Sequence, residues 1–185
     1  MNGSVIRRVV GYVLTLEALL LLLPCIVALY YNEQEGYAYL ASSAICLVLG
    51  GAMSLKKPKS NVFYLKEGCV ATALSWIVLS VFGAIPFVLT GEIPHFVDAL
   101  FETVSGFTTT GASILSDVES LANCTLFWRS FTHWIGGMGV LVFILAMIPL
   151  SGGSNMNLMK AESPGPSVSK IVPKIRKTAA LLYVI

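Results

Sequence analysis

Asp98–Ser113 reads DALFETVSGFTTTGAS. Asp98 to Gly106 has the pattern of a short helix, with Leu100, Phe101, Val104 and Phe107 at helical spacings. Thr108-Thr109-Thr110-Gly111-Ala112-Ser113 then breaks that pattern and makes a poor helix, yet long apolar segments flank it on both sides. A helix of roughly ten residues cannot cross a bilayer, which needs about 20. The stretch is therefore expected to enter the membrane and leave on the same side. Non-helical backbone at membrane depth is tolerated only where it is buried in protein or lines a wet cavity. In isolation the Thr/Gly/Ser string would be an ordinary polar turn. Its apolar setting argues for the lining of a pore.

The residue types suit a dehydrated monovalent cation. Backbone carbonyls can replace the water shell of an ion, and Thr-Thr-Thr-Gly offers a ladder of them. Gly111 permits the strained turn that would aim a carbonyl at the pore axis. The preceding helix would end with its negative pole toward the cation. Thr109 and Thr110 are the expected main ligands, with Thr108, Gly111 and Ala112 in support.

Working outward, 56% of the 185 residues are apolar and 12% charged, which excludes an ordinary soluble domain. Runs near 20 apolar residues mark the spans: Val9 to Tyr31, Tyr37 to Leu55, Gly68 to Leu89 and Phe127 to Leu150. Pro24 should kink the first. The second is rich in small residues that favour close helix packing. In the fourth, Trp128, Arg129, His133 and Trp134 are expected near one interface. Gly136-Gly137-Met138-Gly139 follows no strand and precedes no Lys-Ser/Thr, so it is not a phosphate loop. Its expected role is close approach to the pore helix. Glu17, inside the first span, is expected to face the bundle. Cys25, Cys46 and Cys69 lie in apolar runs without metal spacing and read as packing residues.

Every basic residue except Arg129 falls in the N-terminal segment, the Lys56–Lys66 loop or the Lys160–Lys177 segment. Placing these three inside puts the N-terminus in the cytoplasm and opens the filter loop outward. Glu33, Glu35, Glu92, Asp98, Glu102, Asp117 and Glu119 then lie on the outer side, where an acidic vestibule would concentrate cations.

DALFETVSGFTTTGAS, followed by FWRSFTHWIGGMGVLVFILAMIPL and AESPGP, closely resembles the potassium-translocating membrane subunit of the Trk/Ktr family. The resemblance covers almost the whole chain. It implies repeated helix–pore-loop–helix units around one potassium path, with a single glycine per filter loop, here Gly111. The expected fold is thus an all-α integral membrane protein of potassium-channel-like type. Residues 1–67 would hold two preliminary transmembrane helices and a cytoplasmic loop. Residues 68–150 would form the first helix–pore-loop–helix unit, with its filter at 108–113. Residues 151–185 would be a cytoplasmic linker and the start of the next helix, since Ala179–Ile185 turns apolar again. The chain is accordingly expected to be the N-terminal part of a longer transporter.

The resemblance further implies potassium uptake across the bacterial cytoplasmic membrane, with potassium as the ion carried. A homodimer, a cytoplasmic nucleotide-binding regulatory ring and surrounding lipid are the implied partners, and no nucleic acid is expected. One alternative is a sodium-coupled or poorly selective cation transporter of the same superfamily. Another is a membrane-embedded enzyme using Glu17, His95, Glu102 or His133 as acid–base groups. Those four lack metal-ligand spacing and an accompanying nucleophile motif, so no catalytic or cofactor-binding residue is expected.

Overall fold

A computed structural model describes residues 3–55 and 65–139 of the chain. Six helices are formed among them: α1 (Gly3–Leu20), α2 (Leu22–Tyr31), α3 (Gly36–Leu55), α4 (Leu65–Thr90), α5 (Phe96–Phe107) and α6 (Asn123–Met138). No strand occurs among the described residues. Gly3–Tyr31, Gly36–Leu55 and Lys66–Thr90 are long and apolar enough to cross a membrane. The second half of the expected fourth span, the 151–185 segment and residues 56–64 lie outside the described residues.

α1 and α2 together make the first span, and Pro24 explains the break between them. Proline has no N–H for the carbonyl four residues back, so the ladder opens at Leu20–Leu21. α1 buries Ile6, Val9, Val10, Val13 and Leu16, one stripe at helical spacing, against α3 and α4. α3 crosses α1 where both carry glycine. A Cβ on Gly50 would stand 2.7 Å from the Thr15 amide nitrogen, so the small residues of α3 do set this close contact. Leu40, Ile45, Leu47 and Val48 face outward from α3, an exposure that costs nothing in lipid.

α5 follows α4 and packs between it and α6. It begins at Phe96, two residues earlier than the sequence pattern suggests, and α6 begins at Asn123 rather than Phe127. Its twelve residues rise about 18 Å, far short of a bilayer core. The burial of α5 reverses the usual order. Glu102, Thr103 and Ser105 are buried, while Phe96, Val97, Phe101 and Val104 are exposed. Phe96, Val97, Phe101 and Val104 thus mark the outer face of this unit, while Phe107 joins the core, Leu100 packs against it, and Glu102, Thr103 and Ser105 face the protein.

Three connections meet at one end of the molecule. Glu33, between α2 and α3, accepts hydrogen bonds from the Asn123 and Cys124 amides at 2.8 and 2.9 Å. Glu92, between α4 and α5, accepts from the Ala122 amide at 2.6 Å. Both carboxylates thus satisfy the open N–H groups at the start of α6, where the helix dipole favours negative charge. Trp128, expected at an interface, is instead fully buried, because its indole N–H finds the Gly83 carbonyl of α4 at 3.0 Å.

Candidate functional site

The end of α5 closes with a paired capping arrangement. The Thr110 amide donates to the Ser105 carbonyl and the Thr109 amide to the Gly106 carbonyl, both at 2.9 Å. This is the bond pattern of a Schellman cap, whose left-handed residue is usually glycine. Here that residue is Thr109, with φ 56°. A β-branched residue in that region is a local strain of about 1–3 kcal/mol. Thr108 has φ −84°, Thr109 is positive, Thr110 is not, and Gly111 returns to φ 75°. Successive carbonyls of an extended strand point to opposite sides. Left-handed turns at alternate residues break that alternation and let neighbouring carbonyls share a side.

The capping bonds use the Ser105 and Gly106 carbonyls, and the Thr108 amide uses that of Val104. Beyond them, the carbonyls of Thr108, Thr109, Thr110 and Gly111 accept no hydrogen bond among the described residues, and all four residues are exposed. Ala112 is held differently: its carbonyl accepts the Ser105 hydroxyl at 2.5 Å. The Thr108 and Thr110 hydroxyls bond each other at 2.8 Å, and Thr108 also donates to Val104. At Gly111 nothing lies within 4 Å of an added Cβ, so the backbone turn, not crowding, calls for glycine.

Two further residues, which no motif in the sequence marks as a pair, support this loop. Glu102 accepts the Ser113 hydroxyl at 3.0 Å and the Ile114 amide at 3.2 Å. The Nε–H of Arg129, on α6, donates to the same carboxylate at 2.5 Å. α6 can approach α5 this closely because Gly136 lies against the Phe107 carbonyl, where a Cβ would overlap the oxygen. That contact is the role read for the glycines of α6 from the sequence.

Two of the four acid–base groups of an enzymatic alternative, Glu102 and His133, are bonded within the fold, while Glu17 has no hydrogen-bond partner among the described residues. Glu102 is salt-bridged, His133 Nδ1 lies 2.9 Å from the Arg129 carbonyl, and His95 is the exposed residue preceding α5. Burial pushes the Cys124 thiol up to about 12, helped by the Glu33 carboxylate beside it, which makes it a poor nucleophile. No group of three His, Cys, Asp or Glu with metal-binding geometry occurs among the described residues. Of the seven acids expected on the outer side, Glu33, Glu92 and Glu102 bond other segments of the chain, and Asp117 accepts the Glu119 amide at 3.1 Å.

The described residues form a helical bundle with three helices long and apolar enough to cross a membrane, and a short helix capped by a loop of unbonded carbonyls. The family model for the TrkH cation transport protein matches residues 35–185, and the chain belongs to that family. It is 36% identical over 190 residues to the Trk system potassium uptake protein TrkG of Escherichia coli K12, covering all of this chain and 39% of that relative. An uncharacterized cation transporter of Methanocaldococcus jannaschii is 33% identical, over 97% of this chain and 38% of its own length. The crystal structure of the potassium transporter TrkH from Vibrio parahaemolyticus superposes with a TM-score of 0.76 at 29% identity, over all of this chain and 36% of that one. The chain thus spans somewhat over a third of the length of these relatives.

Proposed function

We propose that this chain forms one wall of a potassium filter, in which Thr109 and Thr110 supply the main carbonyl ligands. Thr108 and Gly111 add to them, and Ala112 belongs to the same wall as the residue tied back to Ser105. The observation that carries this reading is the run of unbonded, exposed carbonyls from Thr108 to Gly111, turned by left-handed residues at 109 and 111. A single wall cannot replace the water shell of an ion, so other segments must supply the rest. The work is dehydration and coordination, with no covalent chemistry.

At the level of the whole protein the function is potassium uptake across the bacterial cytoplasmic membrane, supported by the names of the relatives. The N-terminus is cytoplasmic, supported by the placement of the basic residues. Residues 1–67, 68–150 and 151–185 are the preliminary helices, the first pore unit and the linker. A homodimer with a cytoplasmic nucleotide-binding regulatory ring completes the system. Poor selectivity or sodium coupling is the competing reading, since the family model speaks only of cations.

The test is uptake of labelled rubidium, with sodium as competitor, in cells carrying the full-length protein and lacking other potassium uptake. Gly111→Asp should abolish uptake at normal membrane abundance, because its carboxylate enters open space in front of the loop and traps cations. Normal rubidium affinity in that variant would remove Gly111 from the ion path. For topology, Gln34→Cys should react with an impermeant thiol reagent in intact cells and Lys59→Cys should not.

A further inference from the structure

We propose that Glu102 and Arg129 are a positioning pair that fixes the outer end of the filter loop, and with it the discrimination between potassium and sodium. The proposal rests on the reading of Thr108–Gly111 as filter. After Gly111 the chain runs back along α5, and two side chains three residues apart on that helix hold it. Ser105 takes the Ala112 carbonyl; Glu102, one turn nearer the start of the helix, takes the Ser113 hydroxyl and the Ile114 amide. The Leu115 amide then donates to Ser113 at 3.1 Å. The unbonded carbonyls of Thr108–Gly111 therefore lie between two fixed ends, the capped terminus of α5 and the Glu102 clasp.

Glu102 can act as a clasp only because Arg129 holds it. Its side chain is 1% exposed, and a carboxylate so buried needs a partner of opposite charge. Arg129 is held in turn by its place on α6, whose first turn is capped by Glu33 and Glu92. The pair is neutral, so it adds no net attraction for cations; what it supplies is position. Selectivity rests on either cavity size or the number and field of the carbonyls, and both fail if the loop end drifts.

The experiment measures rubidium uptake and its inhibition by sodium in the full-length protein, with membrane abundance followed by immunoblot. The variants are Glu102→Gln, Arg129→Gln, the double variant and Ser113→Ala. Each single change at the pair should raise KM for rubidium and lower rubidium-over-sodium discrimination about ten-fold, the scale of one charge-assisted hydrogen bond. Vmax per transporter should stay within about two-fold, since a KM effect separates positioning from general loss of structure. The double variant should be no worse than either single one, as expected of one shared link. Ser113→Ala removes the bond to Glu102 and the Leu115 acceptor from an exposed residue without touching the buried pair, so it tests the clasp even if the pair variants fail to insert. It should shift discrimination the same way, about three-fold. Unchanged discrimination in Ser113→Ala, or in a pair variant at normal abundance, overturns the proposal. Gly111→Ser separates the two readings. If it alters discrimination while Ser113→Ala does not, the clasp is wrong and the filter stands; if Gly111→Ser also leaves it unchanged, the filter reading fails first.

Discussion

Glu102 gathers donors from Arg129, Ser113 and Ile114, whereas Glu17, equally buried in α1, has no hydrogen-bond partner on either oxygen among the described residues. The regions around them differ in the same way. In the α1–α3 pair, the hydroxyls of Thr15, Ser42 and Ser54 donate to carbonyls within their own helices, and only Ser43 among these crosses, to Ala18. Those helices are held by shape, through the stripe of α1 and the glycines where it meets α3. Around α5 and α6, polar side chains join segments distant in sequence: Glu33 and Glu92 to α6, Trp128 to α4, Arg129 to α5. Shape suits a frame embedded in lipid. Directed bonds suit a loop whose atoms must keep fixed places.

The contrast would break most visibly at Gly136, where α5 and α6 meet by shape as well as by bonds. Gly136→Val should cost at least the 1–3 kcal/mol of an overpacked core, because the obstacle is the Phe107 backbone and cannot rotate away. Full-length protein carrying it should lose its monodisperse peak in detergent size-exclusion chromatography. Gly137→Ala is the control, since its nearest neighbour, Thr109 Cγ2, would be 3.9 Å from the new Cβ. A normal profile for Gly136→Val would mean that the helices are not so tightly apposed.

A smaller effect sharpens the polar side. Burial would raise the pKa of Glu33, but hydrogen bonds from Cys124 and Asn123 outweigh it and hold the carboxyl below its ordinary 4.5. A depressed folded value means that Glu33 adds stability above its unfolded pKa and loses it as pH falls through the folded one. The purified full-length protein should therefore melt at lower temperature as the buffer is taken below that ordinary value. Glu33→Gln should start lower near neutrality and show less of the acid-dependent loss. Identical pH profiles for the two proteins would show that the cap contributes nothing.

How far the sequence could be read follows the same division. The first three spans, the short helix and the change of character at Thr108 were legible because hydropathy and length report on the bilayer directly. The break at Leu21 followed from Pro24, and the contact at Gly136 from its glycine cluster. The clasp was not legible. Glu102 and Arg129 are 27 residues apart, and counting charge by side of the membrane sends Glu102 to the vestibule and leaves Arg129 an exception. The same limit hid the burial of Trp128. Phe101 and Val104 showed helical periodicity correctly but not direction: when the surroundings are lipid, an apolar stripe does not say which way a helix faces. Thr109 carried no sign of its left-handed backbone, because threonine is a poor choice for that conformation.

The smallest expected effect belongs to Glu17. Its Oε1 would stand 3.2 Å from a Cβ on Gly83, a position that also abuts Thr103 and Phe107, so it lies behind α5. Removing a bonded partner leaves a buried group unsatisfied, but replacing an unbonded polar group by an apolar one of similar size is close to neutral or stabilising. Glu17→Met keeps most of the volume and removes the two oxygens. It should leave rubidium KM unchanged and shift the melting temperature of the full-length protein upward by a few degrees at most, for a gain of about 1 kcal/mol. Glu17→Ala should lower it instead, by opening a cavity against Gly83 and Thr103. That opposite pair of signs is what a region held by shape requires. If Glu17→Met instead lost uptake at normal abundance and melting temperature, the carboxyl would have work that packing does not explain, and the contrast with Glu102 would fail.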